Sequence, residues 1–181
     1  MADVFTLTLN TKLAEKAMLR LREQSPWAIA RAINRSIASG KTIMVREVAG
    51  DLKLKAMDVR DRFGIREATR ERHVAQLTAS AARIPLIKFN ARGPEPSYGR
   101  GRGVSAAGKR YPHAFIATMR SGHRGVFTRR GRARIPVAEL RGASVAHVAT
   151  KHVAVGIARC KEQLVKNLQS EFRFATLKGA A

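Results

Sequence analysis

The sequence predicts an α+β domain: a mainly antiparallel sheet packed under long helices, with a long C-terminal helix and an extended basic loop. Three observations carry this. Apolar residues recur at helical spacing in two long stretches, one early in the chain and one near its C-terminal end. Between them the apolar period drops to two in several short runs. The resulting order is strand, helices, strands, helix, with no internal repeat and no clean domain boundary, so residues 1–181 read as a single domain. A chain of 181 residues can bury a core without disulfide or metal staples.

Phe5-Thr6-Leu7-Thr8-Leu9 alternates strictly and predicts a half-buried strand. Thr11 then opens a helix that places Leu13, Ala14, Ala17, Met18 and Leu21 on one face. Ser25-Pro26 is a restart signal, because serine caps a helix and proline is pre-set for its first position. From there Ile29, Ile33, Ile37, Gly40, Met44 and Val48 recur at spacings of three or four, a stripe that ends near Gly50. A shorter helix is expected over Lys55 to Phe63. His73, Ala75, Leu77 and Ala79 alternate with polar neighbours, and Ile84 to Phe89 is a second extended run. Pro85 lacks a ladder donor, which assigns it to a strand start or a sheet edge.

Asn90 to Pro112 reads as loop, and its glycines, charge and few apolar residues predict that it orders only against a partner. His113–Met119 and Gly125–Thr128 predict a hairpin turning at Ser121-Gly122. After Arg141-Gly142 the helical period returns. Ser144 is the expected cap, and Val153, Ile157, Cys160, Leu164, Leu168 and Phe172 form one stripe along a helix of some seven turns. That stripe is expected to be the main cover of the sheet, opposite Phe5, Leu7 and Leu9, with a frayed tail over residues 175–181.

Charge is the outlier. Lys and Arg number 35 against 13 Asp and Glu, a formal charge of +22, and 24 of the cations are arginine. Such a field attracts polyanions or acidic protein surfaces, and arginine favours planar, multi-point contacts. Between Arg83 and Arg134 stand 13 basic residues and one acid, Glu95, so that segment carries +12 while the remaining 129 residues carry +10. The candidate contacts to a DNA backbone or a protein partner are Arg92, Arg100, Arg102, Lys109, Arg110, Arg120, Arg124, Arg129, Arg130, Arg132 and Arg134. The single cysteine, Cys160, excludes an intrachain disulfide and lies in an apolar helical pattern, which predicts a buried thiol. The first residues lack a basic stretch ahead of an apolar one, so no secretory signal is expected. The longest apolar run, about Val153 to Ala158, is far short of a bilayer span. A soluble protein made in a reducing cytoplasm, with no membrane contact, is expected.

Several motifs point elsewhere and fail. Gly103 to Arg110 imitates a phosphate-binding loop, but Arg110 stands where a magnesium-holding Ser or Thr belongs and Tyr111-Pro112 blocks the following helix. A flexible Gly/Ala loop is the better account. Tyr98-Gly99-Arg100-Gly101-Arg102-Gly103 resembles Arg-Gly segments that track single-stranded nucleic acid, yet it is one repeat with one aromatic. Ile43 to Phe63, broken at Gly50, imitates a helix-turn-helix, but Asp58 and Asp61 oppose phosphate approach. A helical hairpin packed on a sheet is favoured. His147 and His152 are five apart, the wrong spacing for a metal pair on a helix, and the acids after Asp61 are scattered. No catalytic, metal or cofactor site is expected.

Three segments carry a family resemblance: Ser121-Gly122-His123-Arg124-Gly125-Val126-Phe127, Gly131-Arg132-Ala133-Arg134-Ile135-Pro136-Val137, and Gly142-Ala143-Ser144-Val145-Ala146-His147-Val148. Ala32-Ile33-Asn34-Arg35 adds the Asn-Arg pair of an earlier helix. Together they resemble the minor tail protein Z family of tailed bacteriophages, most strongly from His113 to Val148 and more weakly along Ala28 to Phe63. The family's prolines flanking Ser-Val are here Ala143 and Ala146, so a rigid lead into the last helix is not implied.

The resemblance implies a non-enzymatic virion structural protein, a tail-completion or neck component at the head–tail junction. It would be a subunit of a homo-oligomeric ring around the DNA channel, present in the host cytoplasm during assembly. Its partners would be a tail terminator and head-completion or connector rings, with sequence-nonspecific contact to channel DNA. The alternative is a sequence-nonspecific nucleic-acid-binding protein whose place in the tail is incidental.

Overall fold

A computed structural model of the chain describes residues 5–8, 26–95, 103–131, 133 and 135–179, leaving aside the side chains of 5–8 and 175–179. The expected helix over Thr11–Leu21 lies outside the described residues. Strand β1 (Phe5–Thr8) precedes helix α1 (Pro26–Leu52), which holds every residue of the Ile29–Val48 stripe in the core. Its buried face is wide, taking in Ala28, Ala32, Val45 and Ala49 as well. A stripe that wide meets two partners at once: the sheet on one side and the C-terminal helix on the other.

The short helix α2 (Ala56–Arg60) is only five residues long and leads straight into β2 (Phe63–Arg66), a strand the periodicity did not reveal. Asp58 on α2 is ion-paired with Lys88. The helix-turn-helix reading therefore fails: the second segment is a turn that packs the chain onto a sheet. Strand β3 (Gln76–Ala79) pairs antiparallel with both β1 and β2, and Leu77 and Ala79 point into the core as the alternation predicted. Lys41 Nζ donates to the Phe63 carbonyl at 2.7 Å, tying α1 to this sheet.

The second extended run is corrected. Strand β4 covers Arg83–Pro85 only, and Leu86–Lys88 turns into a 3-10 helix. Pro85 ends β4 rather than starting it and lies in a two-stranded sheet, where a missing donor is tolerated. The loop expectation for 90–112 is also corrected. Val104–Ala106 (β5) and Lys109–Tyr111 (β6) form a hairpin, and Val104 and Ala106 are buried. Its two-residue turn, Ala107-Gly108, has φ of 52° and 73°, the primed-turn conformation that matches strand twist. Arg92 and Ser105 exchange two backbone hydrogen bonds of 2.8 Å, which anchor the hairpin to the chain before it. Residues 96–102 lie outside the described residues.

Strands β7 (Ala114–Thr118) and β8 (Arg124–Arg129) make the expected hairpin, with Gly122 at φ 81° in the turn. Two further short strands follow: β9 (Val137–Glu139) pairs with β8, and β10 (Arg141–Ser144) pairs with β4. The chain changes sheets at Leu140, whose N–H donates to Val126 and whose carbonyl accepts from Leu86. Ser144 stands at the N-cap of α3 (Val145–Ala149), but its side chain makes no capping bond. A 3-10 turn at Thr150–His152 links α3 to α4 (Val153–Gly179).

Helix α4 does not cover the sheet. It lies antiparallel along α1, with contacts that descend in register from Asn167–Ser36 through Cys160–Gly40 to His152–Asp51 in the turn just before it. The reason is local: Gly40, Gly156 and Cys160 are small, so the two backbones approach closely and α1 becomes the central helix. Cys160 is fully buried, and desolvation raises its thiol pKa, partly opposed by a hydrogen bond to the Gly40 backbone. At the far end Glu171 is buried and accepts Arg31 Nε at 2.8 Å and Arg35 Nη1 at 2.7 Å. On the outer face of α4, Lys166 and Arg159 bond the Glu162 carboxylate and hold its pKa below the usual range.

Candidate functional site

The two-stranded sheets β4–β10 and β5–β6 border a groove of about 1510 Å³, closed at one end by the C-terminus of α1 and by α3. Its rim is cationic. Arg83 comes from β4, Lys109 from β6, Arg141 from β10, Arg92 from the segment bridged to β5, and Lys53 from the turn after α1. Arg141 Nε donates to Glu139 at 3.2 Å. Among the described residues Lys53, Arg83, Arg92 and Lys109 have no carboxylate partner, and the one acid lining the groove, Asp51, is engaged by His152 Nε2 at 2.9 Å. The less exposed part of the lining, its floor, is mainly apolar, with Leu52, Phe89, Ala106, Tyr111 and Ala146, while Asn90, Ser105, His147 and Thr150 add exposed polar groups toward the rim. A concave wall lined with one sign of charge concentrates the field and draws anions toward it.

Local sequence places each cation. Lys53 adopts φ 51° and ends α1, while Leu54 N–H returns to the Ala49 carbonyl at 3.0 Å. Lys109 follows directly on the Ala107-Gly108 turn. On β10, Gly142 is required: a Cβ there would lie 2.6 Å from Cε2 of the Phe89 ring, which packs against the bare backbone.

The second basic feature is the β7–β8 hairpin. Met119 N–H donates to His123 and Gly122 N–H to Met119, both at 2.8 Å, so the tip is a closed turn. Arg120 and Arg124 flank it, exposed, without a carboxylate partner among the described residues. His123 Nε2 lies 2.8 Å from Glu139 Oε1, and its ring meets Phe127 edge-on at 6.2 Å. At the other end of β8 the Arg129 guanidinium lies 5.6 Å over the Phe115 ring, and Phe115 stacks obliquely with Phe127 at 6.4 Å. Glu139 thus stands between the two basic features, holding His123 of the tip and Arg141 of the groove.

The structure divides the residues that the sequence grouped together. Arg92 and Lys109 line the groove; Arg120, Arg124, Arg129 and Arg130 belong to the hairpin. Arg110 is exposed on β6 and does not line the groove. Arg100, Arg102, Arg132 and Arg134 lie outside the described residues. Lys53, Arg83 and Arg141 were missed. Arg83 opens the basic segment and could have been included, whereas Lys53 and Arg141 are brought in by the fold alone. Among the described residues no group of three or more His, Cys, Asp or Glu side chains could hold a metal ion, and no helix is long and apolar enough to cross a membrane.

The family described as Prophage minor tail protein Z (GPZ) matches residues 12–177. No curated protein and no solved structure matches the chain.

Proposed function

The chain belongs to the prophage minor tail protein Z family, a structural part of a phage tail, and from that premise we propose that it completes the tail at the head–tail junction. In this reading it is a non-enzymatic subunit of a homo-oligomeric ring around the DNA channel, seated between a tail terminator and a head-completion or connector ring. The observation that carries the reading is the β7–β8 hairpin. Arg120 and Arg124 flank a closed turn and point no charge at any described carboxylate. Cations held this way suit a phosphate backbone that passes by, since phosphate contacts position a partner without reading its sequence. The short α2 offers no recognition helix to a groove.

A reconstruction of intact particles around the joint tests this. Copies arranged as a ring at the head-proximal end of the tail are expected; copies along the tube or at the distal tip would overturn the placement. Sedimentation of the pure protein separates this reading from that of a plain nucleic-acid binder. A junction subunit oligomerises, or binds tail proteins, without DNA; the alternative does neither.

A further inference from the structure

We propose that the groove between β4–β10 and β5–β6 receives an extended acidic segment of a partner protein, apolar side chains on its floor and carboxylates at its rim. The inference goes beyond the junction reading and stands if that reading fails, because it concerns a protein partner wherever in the tail the chain sits.

Four observations converge. First, the rim cations Lys53, Arg83, Arg92 and Lys109 are unneutralised among the described residues and come from four separate parts of the chain, so the fold gathers them. Second, the floor between them is mainly apolar. A duplex keeps its base faces stacked inside and presents its charged backbone and largely polar base edges, so it has little to set against such a floor. Single strands stack successive bases on open aromatic faces; here the Phe89 ring lies buried under Gly142, and Tyr111, half-buried, is one platform rather than a series. An acidic peptide with alternating apolar residues satisfies rim and floor together, because successive side chains of an extended chain point to opposite sides.

Third, the groove, about 1510 Å³, is larger than a typical small-molecule site and suits a stretch of polypeptide. Fourth, among the described residues each flanking sheet has two strands, apart from the Arg92 bridge to β5, so β4, β10 and β6 each keep a backbone edge without a described partner, to which an extended segment can add. Rim charges set the sign of the partner; the floor and the edges set its conformation.

The test uses the full chain and a fluorescent peptide of alternating leucine and aspartate, about 40 Å long when extended. Its comparators are poly-aspartate of equal length and an oligothymidylate. Two variants alter exposed groove residues: the charge reversal Arg83→Glu/Arg92→Glu, and Ala143→Trp, which fills the groove without changing charge. Arg120→Glu/Arg124→Glu, outside the groove, is the control, and thermal midpoints check that each variant folds. The alternating peptide is expected to bind about tenfold tighter than poly-aspartate, to lose about tenfold in each groove variant, and to be changed little by the control. Binding no tighter than poly-aspartate, or an equal loss in the control, would mean diffuse attraction to a basic surface and overturn the proposal. Oligothymidylate that displaces the peptide and is itself weakened by Ala143→Trp would also overturn it, reassigning the groove to nucleic acid.

Discussion

Gly40 and Cys160 face each other where the two long helices touch: a Cβ added at Gly40 would overlap the Cys160 sulfur and sit 3.4 Å from the Gly156 carbonyl. Helix propensity alone favours alanine over an interior glycine by roughly 1 kcal/mol. Packing has the opposite sign here, since overfilling a tight contact costs about 1–3 kcal/mol. Gly40→Ala is therefore expected to destabilise in urea unfolding. Combined with Cys160→Ala it should cost less than the two single changes added together. A stabilised Gly40→Ala would show that the helices are not in close contact.

Cys160 also links stability to pH. Burial raises its pKa in the folded state, so the contribution is complete below the unfolded thiol pKa of about 8.5 and is lost as pH rises toward the folded value. Maleimide should label the native protein slowly and the unfolded chain rapidly. Cys160→Ala should flatten part of the alkaline decline in stability; an unchanged decline would assign it to other groups.

Asn34 grips the backbone of Ala68 from both sides, donating to its carbonyl at 3.0 Å and accepting its N–H at 2.7 Å. The amide does both at once from two separate atoms, Nδ2 and Oδ1. Asn34→Ala should cost about 1–3 kcal/mol, because both groups of a buried residue lose their partner. Asn34→Asp keeps one bond, sets a carboxylate against the carbonyl, and should rescue little. Equal stability of Asn34→Asp and wild type would refute the two-sided clamp.

Glu171 neutralises Arg31 and Arg35 one turn apart on α1 while itself buried. Glu171→Gln preserves shape but leaves two like charges side by side, and should cost about 1.5–3 kcal/mol, the range for hydrogen bonds to charged groups. Salt should narrow the difference between Glu171→Gln and wild type by screening the two arginines. A loss below half that range would mean that solvent already screens the pair.

The Asn-Arg pair that carries part of the family resemblance is thus structural: Asn34 fixes a loop and Arg35 fixes α4. Sequence showed that α1 and α4 each bury a stripe, because periodicity reports a face. It did not show what covers the face of α4; the glycine within the α1 stripe was the available signal, since an interior glycine marks a close approach. Strands β2, β5, β6, β9 and β10 are three or four residues each, too short for alternation to register, and β6 reads Lys-Arg-Tyr. Ala107-Gly108 hides its turn because alanine is disfavoured at positive φ. The groove was half legible. Charge density found Arg92 and Lys109, but no local pattern joins Lys53 to Arg141, which lie 88 positions apart and line one groove through the packing of α1 on α3 and of α3 on β10.

The last prediction separates the two basic features by function. Arg120 and Arg124 are exposed beside a turn closed by backbone hydrogen bonds, so Arg120→Glu/Arg124→Glu should leave the thermal midpoint nearly unchanged. If these side chains meet phosphates, each contributes about −0.9 to the slope of log affinity against log salt, and removing both should flatten that slope by about 1.8. Duplexes of unrelated sequence should show the same change, because nothing at the tip reads bases. In the particle, the variant should yield tails that join heads poorly, although the groove and any partner bound there remain intact. Arg83→Glu/Arg92→Glu should do the reverse, keeping most of the DNA slope while losing the protein partner. Full complementation by the hairpin variant, in a phage lacking the wild-type copy, would show that these arginines are a solvated edge and remove the main support for placing this chain against DNA.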